Sequence, residues 1–366
     1  MIEAWYNIHD LVKVHLCVGE SNSARVIDPL LAFFRVEPID PSQVSLEFRD
    51  PMKPPDFSDA LRLGFLNYSP SNSEIWDKRN LLKVGPEGKI SVYSNDGVDE
   101  YVLTLLLMIQ LVRRGLALCH ALGIVSEGKA IVFPAWHNTG KTGLFAYMLD
   151  RERTGLLGDD QVILSKHGIT YSLPYPVKIE SYHVSKGAPE VSRVVKRKRN
   201  ISVSKILGFL YGKFASRGIS ILSAISPRLV QIVYRLFPKR YVALTVKELV
   251  SDDRMPSQAP LGTVISLTRY SGDSLKIELC TPNEVVAEMI SMLYCSELFS
   301  PSVQRFIQYW QSMAAFGAIE SWQQLLSSLE QVLTEALKDA NCYRLSIPED
   351  VGFTELGEFL SGVVGQ

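Results

Sequence analysis

The 366-residue sequence predicts an α/β chain, α+β overall, built on a phosphate-loop core with a β-rich N-terminal region and a basic helical insertion. Three observations predict it. Residues 1–97 carry short runs that alternate apolar and polar side chains, the period of half-buried strands. Residues 129–164 then read as strand, tight loop, helix and a second strand region bearing two acids, the arrangement of ATPase-type nucleotide sites. Residues 186–239 interrupt that pattern with basic, apolar, helical sequence broken at Pro227.

In chain order, residues 11–18 and 44–48 alternate as strands, a Pro-rich break follows at 51–55, and residues 89–93 form a strand after a Pro-Glu-Gly turn. Residues 98–119 read as one helix leading into the core. The most apolar stretch, 101–121, is interrupted by Gln110, Arg113 and Arg114, so it reads as a buried amphipathic helix and not as a membrane span. Residues 120–185 carry the nucleotide site. Within them, 129–134 is a short β-branched apolar run, expected as a buried strand. Residues 143–149 place Leu144, Phe145, Met148 and Leu149 on one side of a helix. Residues 154–164 form the second strand region. The core resumes with strands over 240–281 and helices over 283–340, where Val285, Met289, Met292 and Leu293 keep helical spacing. A strand at 343–347 and a short tail helix over 353–366 close the chain. The domain reading is a β-rich region 1–97 and a phosphate-loop domain 98–366 with the insertion 186–239.

A net charge of −1 argues against a globally basic nucleic-acid binder, and no nucleic-acid partner is expected. The charge is uneven: residues 191–250 hold 13 Lys/Arg against a single acid, Glu248, a balance of +12 that leaves −13 elsewhere. The simplest account is a helical insertion with a solvated basic face. Sharper accounts are a dock for an acidic partner over 191–240, contact with an anionic membrane surface, or a lid that brings Arg to phosphates. Five cysteines, odd in number and without C-x-x-C spacing, fit unpaired thiols in a reducing compartment. The first ten residues have neither a basic n-region nor an apolar h-region, so a cytoplasmic protein is expected. A homo-oligomer is compatible with the sequence.

The chemistry concentrates in Ala135, Trp136, His137, Asn138, Thr139, Gly140, Lys141 and Thr142. The phosphate-loop template is G-x-x-x-x-G-K-[S/T], and here Ala135 replaces the first Gly. Amides of such a loop, opening onto a helix N-terminus, cradle phosphate oxygens. Lys141 would reach the β- and γ-phosphates of ATP, and the Thr142 hydroxyl would hold Mg²⁺. If position 135 required a positive φ, Ala would carry a penalty of about 1–2 kcal/mol that Gly avoids. Set against this reading, a lone G-K-T arises by chance and Asp-Asp pairs are common in solvated turns, but flanks and order agree here.

Residues 119–121 (Cys-His-Ala), Phe133-Pro134, the loop and residues 157–160 (Leu-Gly-Asp-Asp) resemble the catalytic domain of HPr kinase/phosphorylase and its relatives, whose core ATP-dependent phosphoenolpyruvate carboxykinases share. His120 precedes Lys141 by 21 residues, as that family's pattern asks. Residues 240–249, 259–267 and 342–345 resemble the strands that complete its core. The resemblance covers about two thirds of the chain, with specificity in the loop, His120 and the Asp pair.

The resemblance implies an ATP- and Mg²⁺-dependent transfer of the γ-phosphoryl to a hydroxyl of a protein, a peptide or a small molecule such as serine. It implies Asp159 as the group that orients or deprotonates the hydroxyl, Asp160 as a metal ligand, and His120 beside the transferred phosphate or the nucleophile. Taken alone, His120 reads as a buried histidine satisfied by backbone, and the resemblance brings the role beside phosphate or nucleophile level with that reading. Trp136 either covers a nucleotide or plugs the core, and packing is the simpler role. His137 reads as solvent-facing or packed. His9, His15, His167 and His183 lack metal-ligand spacing. Two departures from the family stand out: Ala135, and the family's site arginine and glutamate, for which Glu180 and Arg240 are the candidates. They leave a nucleotide-binding regulator or scaffold without catalysis as the alternative. A carboxykinase reaction is a third reading, for which the chain is short and lacks a recognisable oxaloacetate-binding arginine site.

Overall fold

The structure, a computed structural model, describes residues 2–19, 22–49, 58–63, 65–95, 97–136, 139–149, 154–180, 241–296, 298 and 300–364. β1 (Ile2–Ile8) and β2 (Val12–Val18) form a hairpin whose loop holds His9 and Asp10 at φ 53° and 59°. After α1 (Asn22–Leu31) come β3 (Arg35–Val36), β4 (Leu46–Arg49), β5 (Leu61–Leu63), β6 (Leu66–Ser69), β7 (Glu74–Trp76), β8 (Asn80–Val84) and β9 (Ile90–Ser94). Among the described residues these make one nine-stranded mixed sheet in the order β3-β1-β2-β4-β9-β8-β7-β6-β5. The period of two is visible in its inner face, where Tyr6, Val14, Leu16, Phe48 and Val92 are buried. The opposite face carries His15, Glu47 and Ser91, also buried.

α2 (Glu100–Val112) starts at Asp99, whose carboxylate accepts from the Val102 amide at 2.9 Å. The sequence predicts an amphipathic helix through residue 119, and the structure corrects both points. Every residue from Val102 to Val112 is buried, because α2 packs on β2 and β4 on one side and on further helices on the other. The helix stops at Val112. The Arg114 and Gly115 amides close onto Leu111 and Val112, and Gly115 at φ 72° turns the chain into β10 (Leu116–Cys119).

Next follow β11 (Ala121–Ser126), β12 (Lys129–Pro134), α3 (Lys141–Leu149), β13 (Gly155–Gly158), β14 (Val162–Ser165), β15 (Ile169–Ser172) and β16 (Val177–Glu180). The basic insertion 186–239, with its partner-dock, membrane and lid readings, lies outside the described residues, as does the Pro-rich break at 51–55. β17 (Tyr241–Leu244), α4 (Val246–Leu249), β18 (Gln258–Tyr270), β19 (Lys276–Leu279), α5 (Pro282–Ser296), α6 (Pro301–Ala315), α7 (Trp322–Leu337), β20 (Asn341–Pro348) and α8 (Phe353–Val364) complete the chain.

The second large sheet runs β10-β14-β15-β18-β12-β11-β13, with β20 on β18 and β19 on β20. Its organiser is the long β18: residues 258–260 pair antiparallel with β15, 261–264 parallel with β12, and 263–270 parallel with β20. The molecule is therefore mixed α/β, with two large mixed sheets and several helices, in line with the α+β class.

Two compact units divide the chain. The first (Met1–Lys141, Arg153–Pro176, Asp252–Val351) holds both large sheets and α1, α2, α5, α6 and α7. In it α2 also touches β10, α6 and α7, while α7 lies on β10, β14 and β18. The second (Thr142–Glu152, Val177–Ser251, Gly352–Gln366) holds α3 beyond Lys141, the β16–β17 pair, α4 and α8. Within it α8 approaches α3 so closely that a Cβ on Gly357 would fall 2.1 Å from the Tyr147 ring.

Candidate functional site

The loop grows out of β12. Its first residue, Ala135, is fully buried and forms a parallel bridge with Leu267 of β18. The pairing of the two strands thus continues one step into the loop. Ala135 is not among the described residues with positive φ, so the penalty foreseen for alanine does not arise. The glycine that needs its freedom is Gly140, at φ 118°. Between them the Trp136 carbonyl accepts from the Thr139 amide at 3.3 Å and from its hydroxyl at 2.8 Å. Trp136 is 37% exposed and so is not a core plug. His137 and Asn138 lie outside the described residues. Lys141 opens α3.

Three side chains expected to act together are brought together. Lys141, 7% exposed, donates to the Ala135 carbonyl at 2.8 Å and meets His120 Nε2 at 2.7 Å. An ammonium has no acceptor, so Nε2 accepts and the ring hydrogen of neutral imidazole sits on Nδ1. That nitrogen faces Asp160 Oδ1 at 3.5 Å. The His120 side chain is 5% exposed, and its ring meets the side chains of Lys141 and Asp160. It occupies the junction between β10 and β11, which fixes its place one hairpin before the loop.

Asp159 and Asp160 occupy a turn between β13 and β14, not a single strand as residues 154–164 suggest. The turn is compact because Gly158 has no Cβ: one would fall 2.1 Å from the Gln161 carbonyl and 3.0 Å from that of Leu173. The Asp160 carbonyl accepts from the Ala121 amide at 3.2 Å, which ties the turn to the residue after His120. Asp159 is 5% exposed and the Asp160 side chain 39% exposed. The two acids therefore differ in environment: one is enclosed and one is reachable from solvent.

A magnesium-type cation takes hard oxygen ligands, commonly one or two carboxylates plus substrate phosphates. Asp160 fits that donor chemistry. Thr142, the other predicted metal ligand, is the second residue of α3 and begins the second unit, half-buried. Among the described residues no three His, Cys, Asp or Glu side chains converge as a metal site, so substrate oxygens would have to complete a shell here.

One residue beside the loop was missed by the sequence reading. Arg269 of β18 donates from Nε to the Thr139 carbonyl at 3.1 Å and from a terminal nitrogen to the Pro348 carbonyl at 2.5 Å. The predicted strand stopped at Leu267. It runs on to Tyr270, and that extension carries an arginine to the loop. The signal was the continuing Thr-Arg-Tyr run after Leu267. Of the two sequence candidates for further site residues, Glu180 pairs with Tyr241 at the end of β16, and Arg240 lies outside the described residues.

No protein-family model matches the chain, and a search of curated proteins finds no match.

Proposed function

We propose that this protein is an ATP- and Mg²⁺-dependent phosphotransferase of the HPr-kinase-like type, passing the γ-phosphoryl of ATP to a hydroxyl. The observation that carries the reading is the line Lys141–His120–Asp160 at the mouth of a loop between a buried strand and a helix N-terminus. Phosphoryl transfer needs positioning and charge neutralisation more than covalent help from the protein. Lys141 supplies a positive charge that His120 and Ala135 already hold in one orientation. Loop amides and the start of α3 supply donors for phosphate oxygens. Bound Mg²⁺, held by Asp160 and the substrate's own oxygens, would neutralise charge on the β- and γ-phosphates.

In the reaction, the acceptor oxygen attacks the γ-phosphorus and the bond to the β,γ-bridging oxygen breaks. ADP leaves with that electron pair, and the hydroxyl proton passes to Asp159. The enclosure of Asp159 suits a group that orients a hydroxyl, and the exposure of Asp160 suits one that meets a metal. Ala135 does not weaken the reading, since its backbone is in a conformation alanine adopts without strain. The test is Lys141→Ala, with circular dichroism as the check on folding. Transfer of labelled γ-phosphate to hydroxyl acceptors is expected to vanish while the fold persists, and undiminished transfer would rule the mechanism out.

A further inference from the structure

A cavity of about 30 Å³ lies in the first unit between α2, α5 and α7, and His120 and Gln161 are among the residues that line it. One water needs roughly 10–15 Å³ of such space, so the cavity has room for a short aliphatic group. Its walls are apolar and adaptable: Met108, Met289 and Met292 all line it, and thioethers reshape around irregular guests. Among the described residues no Asp, Glu, Lys or Arg lines it. Cys119, also in the wall, keeps its proton because burial pushes the thiol well up.

Two polar side chains depart from this lining. Thr104 is 5% exposed and Gln161 is 4% exposed. Neither side chain hydrogen-bonds to any described residue, and both face the cavity. Buried hydroxyls and amides are nearly always hydrogen-bonded, because leaving one unpaired costs about 1–3 kcal/mol. An amide that can both donate and accept, with a hydroxyl in the same lining, is suited to a neutral polar head. Tyr101, 41% exposed, lies on the cavity's rim and offers a way in from solvent.

We propose that this cavity binds a small, neutral aliphatic alcohol, its carbon chain among the methionines and its polar head at Thr104, Gln161 and His120. A charged acceptor such as free serine is disfavoured, because an ion placed there would lose water without gaining a counter-ion. His120 is the wall shared with Lys141, so a bound hydroxyl sits next to the candidate site. For the identity of the acceptor the inference rests on the phosphotransferase reading. For binding itself it does not.

The experiment uses the full chain with ¹³C-methyl methionine and titrates n-alkanols from ethanol to hexanol, with free serine and glycerol as polar controls. Saturable shifts of the Met108, Met289 and Met292 methyl signals are expected with an alkanol and not with the controls. Thr104→Val, which keeps the shape, and Gln161→Leu are each expected to weaken alkanol binding about tenfold, the equivalent of one lost hydrogen bond. The absence of saturable shifts with every alkanol, or wild-type alkanol affinity in both variants, overturns the proposal. Adding γ-labelled ATP separates the two readings. Alkanol binding without label transfer keeps the cavity and counts against the phosphotransferase. Label transfer to a protein hydroxyl without alkanol binding does the reverse.

Discussion

Arg269 joins two segments that are distant in sequence: its guanidinium donates to the Thr139 carbonyl in the loop and to the Pro348 carbonyl at the end of β20. Hydrogen bonds from a charged donor contribute about 1.5–3 kcal/mol each. They hold the loop in place next to β18. Arg269→Ala is therefore expected to lower ATP affinity about tenfold, with Arg269→Lys only partly restoring it, because a point charge cannot reproduce the planar fork. Isothermal titration with ATP checks this, and wild-type affinity in the alanine variant would show that the loop holds its shape alone. The same scale explains Ala135 and Gly140. The template's first glycine is dispensable where the backbone is extended, and its second is not, at φ 118°.

Among the elements, α2 shows how a helix can be set by its surroundings. From Val102 to Val112 its residues are buried on every side because it lies between the first sheet and α6 and α7. Its end is anchored by Arg113, whose guanidinium donates twice to Glu320, both at 2.8 Å, and stacks 5.0 Å from the Trp310 ring centre. The same arginine reaches the Gly88 carbonyl at 3.2 Å. With side chains 21% and 29% exposed, the pair lies between a surface bridge at 0–1 kcal/mol and a buried one whose breakage costs 3–5 kcal/mol. Arg113→Ala is expected to destabilise the protein by about 2 kcal/mol, read from the urea midpoint. A shift near zero would mean that the cation–π contact and the ion pair contribute little here.

On the scale of the whole molecule, the first sheet carries a charged cluster on its second face. Glu47 accepts from Arg49 at 2.8 Å and from Ser91 at 3.1 Å, meets His15 at 3.2 Å, and has Lys89 at 3.6 Å; Glu3 faces the other side of His15 at 3.2 Å. Burial alone would raise its carboxyl, but the hydrogen bonds from Arg49 and His15 outweigh that and bring it from 4.5 to about 2. A depressed carboxyl contributes stability that is complete above its unfolded value and lost as pH falls through its folded value. Stability is thus expected to decline between about 4.5 and about 2, and Glu47→Gln should flatten that part of a denaturation-versus-pH series. An unchanged slope in the variant would remove Glu47 as the cause.

The sequence by itself determined what local pattern can determine. Period-two alternation in the first 97 residues, the β-branched run before the loop and the helical spacing around Met289 all have local causes, and each is an element in the structure. The resemblance, and not local pattern, pointed to His120 and Lys141 as a spaced pair, and the two stand 2.7 Å apart. The tertiary structure decided the rest. Whether Ala135 is strained depended on its bridge to Leu267, a residue more than a hundred positions away. The helix expected over 98–119 ended at Val112 because Gly115 turns the chain into a strand that pairs with β14. Arg269 and the cavity behind His120 arise only where β18, α2, α5 and α7 converge. Such features depend on contacts between distant segments, and hydrophobic periodicity reports only on a residue's own neighbours along the chain.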